Sequence, residues 1–188
     1  MKRILLIRHC HAPGQHSDSP LSKNGIKQAH ALSWKLENMS FQIDRIISSP
    51  YLRAQESIKP FAEKQHVDIE IDDRLKERIL SEEPVDDWMD ILEESFQNSH
   101  FKLPGGESST EAYDRGVAVL NTCIQDETSE NIAIVTHGNL LALMLRKFRV
   151  DFGFQEWKTL TNPDIFLIQR IGGEFITERI WDDTKSYD

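Results

Sequence analysis

The strongest constraint on the fold is a pair of short apolar runs, each of which stops at polar residues. Residues 4–7 read Ile-Leu-Leu-Ile and end at Arg8, while Asn131–Thr136 reads NIAIVT and ends at His137. Apolar runs of this length, rich in β-branched residues, are typical of strands that are buried on both faces. Helices on both sides cover such strands, so the pair indicates an α/β protein.

Strand-like and helix-like patterns alternate along the rest of the chain. They predict strands over 3–7, 45–48, 67–71 and 131–136. They predict helices over 23–38, from Ser49-Pro50 to about 64, over 84–96, from Ser108 or Ser109 to about 125, and over 139–147. Two further strands, 164–170 and 174–179, flank Gly172-Gly173 and are predicted to form a hairpin.

This alternation predicts one domain spanning residues 1–188. The expected architecture is a three-layer α/β/α sandwich, in which a mostly parallel sheet has an antiparallel edge strand. A small acidic cap is expected over about 78–103, where most of the charged side chains are carboxylates.

Charge and composition exclude several classes of protein. The net charge is −9, from 22 basic and 31 acidic residues, whereas nucleic-acid and anionic-membrane binders need basic faces. The two distant cysteines, Cys10 and Cys123, form no disulfide framework. The first residues lack the long apolar run of a signal peptide, and no stretch is long enough for a membrane helix. We therefore expect a cytoplasmic protein without nucleic-acid or membrane partners.

Arg8, His9 and His137 directly follow predicted strands, and Arg53 lies in the first turn of a helix that follows another strand. In open α/β sheets ligands bind beyond the carboxyl ends of the strands, so parallel strands would bring these four side chains together. Guanidinium groups suit phosphate oxygens, and a neutral histidine can attack phosphorus. Glu77 follows the third strand and is the candidate proton donor, because a nearby phosphate favours the protonated carboxyl.

Six motifs in order and spacing extend this pattern over most of the chain. They are Arg8-His9, Pro20-Leu21-Ser22 with Gly25 and Gln28-Ala29, Ser48-Ser49-Pro50 with Arg53-Ala54, Leu75 with Glu77, Pro104-Gly105-Gly106-Glu107-Ser108, and Val135-Thr136-His137-Gly138. Together they resemble the histidine phosphatase superfamily, which includes the cofactor-dependent phosphoglycerate mutases.

The resemblance implies a role for each matching residue. It makes His9 the phosphorylated nucleophile and Glu77 the acid, which later acts as the base for the incoming water. The remaining implied residues surround the phosphate or the substrate: Arg8, Arg53 and His137 form the phosphate pocket, Gln15 faces the phosphate, and Arg78, Gly138 and Asn139 match positions that contact substrate in the mutases. No metal is implied.

The sequence departs from the family pattern after the nucleophile. Cys10 stands in place of the usual glycine, and His11-Ala12 replaces the frequent Glu-Ser or Glu-Thr. We expect a local difference in this loop. Cys10 would be sensitive to oxidation if its thiol pKa were lowered.

The superfamily includes both hydrolases and mutases, and the acidic segment 78–103 favours hydrolysis. Its carboxylates should repel a polyanionic bisphosphate unless they point away from the site. We therefore predict a phosphatase that acts on a small phosphorylated metabolite and needs no cofactor. The alternative is mutase-type phosphoryl transfer, which would need 2,3-bisphosphoglycerate, and the sequence does not predict the oligomeric state.

Two other functions remain open. His9, Cys10, His11 and His16 offer metal ligands within eight residues, but neighbours in a strand point to opposite faces and no zinc-type spacing is present. A non-catalytic phosphate-binding module is the second alternative. Arg8 could also be an ordinary residue of an ion pair, and His9 an ordinary core histidine. The matching motifs disfavour both interpretations.

Overall fold

A computed structural model describes residues 1–182 of the chain. Its centre is a six-stranded sheet with the order β3-β2-β4-β1-β5-β6. The strands are β1 (Arg3–Arg8), β2 (Arg45–Ser48), β3 (Ile69–Ile71), β4 (Asn131–Thr136), β5 (Asp164–Ile171) and β6 (Glu174–Arg179). Strands β3, β2, β4 and β1 are parallel, and β5 runs antiparallel to both β1 and β6.

Helices cover both faces of this sheet. They are α1 (Lys23–Glu37), α2 (Leu52–Gln65), α3 (Trp88–Gln97), α4 (Ser109–Gln125), α5 (Gly138–Leu145) and α6 (Phe154–Lys158), with a short 3-10 helix at Asp73–Leu75. Successive side chains of a strand point to opposite faces, so β1 contributes to two cores. Leu5 and Ile7 join the core that contains residues of α1 and α2, while Ile4 and Leu6 join the one with α4 and α5. The predicted α/β fold, with its mostly parallel sheet and antiparallel end, is confirmed.

Local hydrogen bonds explain where several helices begin. The Ser22 hydroxyl accepts from the N–H of Gly25 and caps α1. Ser108 and Glu111 form a reciprocal capping box at the start of α4, which satisfies two backbone donors. The predicted start of α2 at Ser49-Pro50 was wrong: Tyr51 is its N-cap residue, and the Ser49 hydroxyl makes other contacts.

The other differences are at element ends. Helix α3 begins at Trp88 rather than at the predicted Pro84, and the one-turn helix α6 was not predicted. Among the helices of residues 1–182, none has both the length and the apolar character needed to cross a membrane.

Strand register determines what meets at the carboxyl edge of the sheet. Arg8 pairs with Thr136, and Ser48 pairs with Val135, so β1, β2 and β4 end at the same level. The residues after β1 and β2 each continue the ladder for one more bond: the N–H of His9 donates to the Thr136 carbonyl at 3.0 Å, and the N–H of Ser49 to the Val135 carbonyl at 2.9 Å. His9, Ser49 and His137 therefore lie side by side at this edge.

Candidate active site

The two histidines that follow β1 and β4 are in contact. Their ring centroids lie 5.0 Å apart, with the rings inclined at 63°. Arg53 reaches the same point from the first turn of α2, and its Nε lies 3.3 Å from His9 Nε2. The fold thus brings His9, His137 and Arg53 together, as the sequence predicted.

Hydrogen bonds fix the protonation pattern of His9. Nδ1 lies 2.6 Å from the Cys10 carbonyl oxygen, which can only accept, so Nδ1 carries the proton. Nε2 is left with a free lone pair and accepts from the Arg53 Nε–H. Burial, together with the positive charges of Arg53 and Arg8, lowers the pKa of His9 to about 3, against an opposing effect of the bond to Cys10 that is smaller than that of burial. His9 is therefore neutral at physiological pH, the form a nucleophile needs.

Arg53 is buried completely, although its guanidinium is charged. Its Nη1 donates to the carbonyls of Gln15 and His16 at 3.2 and 2.8 Å, which fixes the loop before α1 against the start of α2. The guanidinium carbon also lies 4.9 Å from the centre of the Tyr51 ring. Burial lowers the pKa of Arg53 from its ordinary value, and the Glu77 carboxylate opposes this shift.

Arg8 is held from the other side of the site. Its Nη1 donates to the carbonyls of Leu160 and Thr161 at 3.1 and 3.3 Å, in the loop before β5. A Cβ added at Gly138 would lie 3.0 Å from the Arg8 Cζ and Nε, so the absence of a side chain there makes room for the guanidinium. Arg8 Nε is buried and has no hydrogen-bond partner among residues 1–182.

His137 is buried completely at the N-cap of α5. Its Nε2 lies 2.7 Å from the Ser49 hydroxyl, which also accepts from the Tyr51 N–H at 3.2 Å. Burial lowers the pKa of His137 well below its usual value, and the charges of neighbouring cationic groups add to this. Its Nδ1 has no partner in the described part of the chain.

The Glu77 carboxylate is bound entirely by backbone donors. It accepts from the N–H groups of Arg78 at 2.9 Å, Asn139 at 3.1 Å and Leu140 at 3.0 Å. The last two belong to the first turn of α5, where a negative charge also interacts favourably with the helix dipole. Glu77 therefore occupies two of the free backbone donors at the start of α5.

Asn139 completes a group of unpaired polar atoms at the strand ends. The side chain is 7% exposed, and neither its Oδ1 nor its Nδ2 has a partner within residues 1–182. Buried polar atoms are normally hydrogen-bonded. Arg8 Nε and Asn139 Nδ2 are therefore unpaired donors in the described part of the chain, and His137 Nδ1 is a third when it carries the proton of that ring.

Two predicted substrate residues lie in less direct positions. Arg78 is buried and donates from Nε to the Glu107 carbonyl and from Nη1 to the hydroxyls of Ser95 and Ser109, so it joins α3 to α4. The side chain of Gln15 is exposed, and its backbone carbonyl accepts from Arg53. Substrate contacts by either side chain stay a prediction.

Cys10, the departure after the nucleophile, points away from the site. It is fully buried in the core that contains Leu5 and Ile7, and burial raises the pKa of its thiol to about 12. The lowered thiol pKa that oxidation sensitivity would need is therefore absent at Cys10. Its N–H donates to the Ser57 hydroxyl at 2.8 Å, which links the loop to α2.

The neighbouring histidines form no metal cluster. His11 is exposed, and its Nδ1 lies 2.8 Å from the Ser22 hydroxyl at the start of α1. Over residues 1–182, no group of three or more His, Cys, Asp or Glu side chains is placed to hold a metal ion.

Sequence reasoning missed several residues of this site. Ser49 contacts His137, Tyr51 lies 4.9 Å from the same ring between centroids, and Asn162 donates to the His9 carbonyl at 2.7 Å. Ser49 and Tyr51 are close to Arg53 in the chain, so that motif offered a signal for them. Nothing in the local pattern indicated Asn162, which is 153 residues from His9.

Comparisons with known proteins agree on one family. The model of the histidine phosphatase superfamily (branch 1) matches residues 4–183. A relative in Yersinia pestis (strain Pestoides F), named a probable phosphoglycerate mutase GpmB, is 30% identical over 163 residues, which are 77% of this chain and 74% of that protein.

Solved structures share the fold at lower identity. YhfR from Bacillus stearothermophilus has a TM-score of 0.77 at 22% identity and covers 95% of this chain and 96% of its own. A putative alpha-ribazole-5'-P phosphatase from Escherichia coli K-12 has a TM-score of 0.75 at 18% identity, with 95% of each chain covered. The mycobacterial glucosyl-3-phosphoglycerate phosphatase in complex with VO3 has a TM-score of 0.74 at 19% identity and covers 97% of this chain and 99% of its own.

Proposed function

Because this chain belongs to the histidine phosphatase superfamily (branch 1), we propose that it hydrolyses the phosphomonoester of a small metabolite. The reaction passes through a phosphohistidine on His9. The protonation state of His9 is the main support for this proposal. The ring is neutral, its Nδ1–H donates to a carbonyl, and its Nε2 lone pair faces Arg53.

The phosphoryl group binds between the two arginines and the second histidine. Arg8 and Arg53 supply positive charge from opposite sides, and Arg8 Nε is an unpaired donor. His137 donates from Nδ1 when the Ser49 hydroxyl donates to its Nε2, which keeps the proton on the side of the phosphate. These groups are already in position, so they stabilise the charge on the equatorial oxygens as the transfer proceeds.

His9 Nε2 attacks phosphorus, and the bond from phosphorus to the ester oxygen breaks. The leaving oxygen then needs a proton, for which Glu77 is the proposed donor. Three backbone N–H groups hold its carboxyl group in place in the free protein. A phosphate dianion bound beside Arg8 and Arg53 adds negative charge nearby, and this favours uptake of a proton by Glu77. In the second step Glu77 accepts a proton from water, whose oxygen attacks phosphorus and returns the electron pair to Nε2.

Hydrolysis is favoured over mutase-type transfer by the acidic segment 78–103. Its two cations are already engaged, since Arg78 bonds to Ser95 and Ser109 and Lys102 pairs with Glu111 at 2.7 Å. A bisphosphate needs further cations for its second charged group. The mutase alternative, with 2,3-bisphosphoglycerate as its cofactor, is supported by the name of the curated relative.

A substrate panel tests the proposal. An aryl phosphate and 3-phosphoglycerate are each offered with and without 2,3-bisphosphoglycerate, to the wild type, His9→Ala and the exposed-site control His30→Ala. We expect hydrolysis without the bisphosphate, lost by about 10³-fold or more in His9→Ala and kept in the control. Isomerisation that needs the bisphosphate and exceeds hydrolysis would establish the mutase. Phosphate binding without turnover would establish the non-catalytic module.

A further inference from the structure

The Pro-Gly-Gly-Glu-Ser motif at 104–108 has no part in the chemistry above, yet it lies against the chain that carries Glu77. The N–H of Glu107 donates to the Ile79 carbonyl at 2.7 Å. A Cβ at Gly106 would lie 2.2 Å from the carbonyl oxygen of Leu80, so only glycine allows the two chains to approach this closely. The motif therefore holds the chain just after the proposed proton donor.

Arg115, on α4, holds the chain just before the proton donor. Its Nη1 donates to the carbonyls of Arg74 and Lys76, at 2.6 and 2.8 Å. Its Nε and Nη2 donate to the two carboxylate oxygens of Glu107, at 2.6 and 2.8 Å. One guanidinium thus connects the segment that precedes Glu77 with the motif that holds the segment after it.

The environment of the ion pair between Arg115 and Glu107 suits a positioning role. The Arg115 and Glu107 side chains are only 21% and 22% exposed, and their two parallel bonds define both distance and orientation. The carbonyl of Leu75, between Arg74 and Lys76, accepts from the Thr136 hydroxyl at 2.9 Å. Three consecutive carbonyls before Glu77 are therefore fixed by side chains, although this segment is neither helix nor strand beyond residue 75.

We propose that Arg115 and Glu107 are positioning residues that hold the Glu77 carboxyl where it protonates the leaving oxygen. The proposal rests on the proposed function, since it assigns a task to residues around the proton donor. The two side chains bond to each other and Arg115 also bonds to backbone carbonyls, so the pair acts through the backbone of residues 74–79. A displacement of a catalytic group by about 1 Å can cost about 10²-fold in rate.

The consequence depends on the leaving group. An alkyl phosphate needs a proton on its departing oxygen, whereas an activated nitroaryl phosphate releases a stable phenolate without one. Loss of the pair should therefore slow the first step, phosphoryl transfer to His9, for the alkyl ester and leave that step almost unaffected for the activated ester. A merely structural role, such as stabilising the fold, would lower both rates together.

The experiment compares kcat/KM, which reports the steps up to release of the leaving group and not the later water attack, for an alkyl and a dinitrophenyl phosphate in the wild type, Arg115→Met and Glu107→Gln. The matched control is Arg45→Met, because Arg45 makes a similar bidentate pair with Glu70, at 2.8 and 2.7 Å, away from Glu77. We expect a loss of about 10²-fold on the alkyl ester with less than about threefold on the activated ester for the Arg115 and Glu107 variants. The control should change neither rate.

Turnover of the activated ester also reports that a variant is folded. Glu107→Gln keeps the shape of the side chain and serves as the milder change if Arg115→Met proves unstable. Equal losses on both esters, or no loss on the alkyl ester, would overturn this inference and leave the proposed function intact. No hydrolysis of either ester by the wild type would instead overturn the proposed function.

Discussion

The buried, neutral state of His9 should make the protein lose stability as the pH falls. The pKa of His9 is about 3 in the folded protein, against 6.5 for an unperturbed histidine. Between these values the unfolded chain binds a proton at this side chain and the folded protein does not. The stability contributed by the neutral ring is therefore complete above pH 6.5 and is lost as the pH falls toward 3. At about 1.4 kcal/mol per pH unit, the loss by pH 5 is about 2 kcal/mol.

Urea unfolding followed by tryptophan fluorescence measures this loss at pH 7 and pH 5, in buffer without phosphate. His9→Gln removes the titrating group, and His100→Gln, at an exposed histidine, is the matched control. We expect the wild type and the control to lose about 2 kcal/mol more than His9→Gln between the two pH values. Equal losses in all three proteins would refute the assignment of His9 as neutral.

Three smaller predictions concern the surroundings of the site. Gly138→Ala places a Cβ 3.0 Å from the Arg8 guanidinium and should weaken inhibition by inorganic phosphate by about tenfold, whereas unchanged inhibition would contradict the contact. Gly25→Ala places a Cβ 2.0 Å from the His11 carbonyl oxygen and should lower the free energy of unfolding by about 1–3 kcal/mol in urea, so full stability would contradict the close approach. Cys10 should resist iodoacetamide in the native protein at neutral pH and react after unfolding, as measured by mass spectrometry, because its thiol is buried with a pKa of about 12.

The strand ends of this fold were predictable because local pattern and chemistry agree there. Residues 4–7 and 132–135 are apolar, and runs of this length that are rich in β-branched residues favour a buried strand over a helix. The parallel pairing of β1 with β4 then brings the two polar ends together. Arg53 followed from its place in the first turn after β2.

The partners of the proposed proton donor were not predictable from the sequence pattern. Glu77 is bound by N–H groups 62 and 63 residues away, and backbone donors leave no trace in residue identity. The ion pair joins Arg115, in the second turn of α4, to Glu107, the residue before the N-cap of that helix, and the sequence does not distinguish it from a solvent-exposed pair of charges. The start of α2 was misplaced because Ser49, a favourable N-cap residue, is used by His137 instead.

Trapping the phosphoenzyme tests the central claim most directly. The protein is mixed with a radiolabelled phosphomonoester, quenched in base, and analysed for label that survives alkali and is lost in acid, as expected of a phosphorus–nitrogen bond. The account predicts such label on the peptide that contains His9, with none in His9→Ala and more accumulation when water attack is slowed in Glu77→Gln. Label that persists in His9→Ala, or that resides on another residue, would contradict the account.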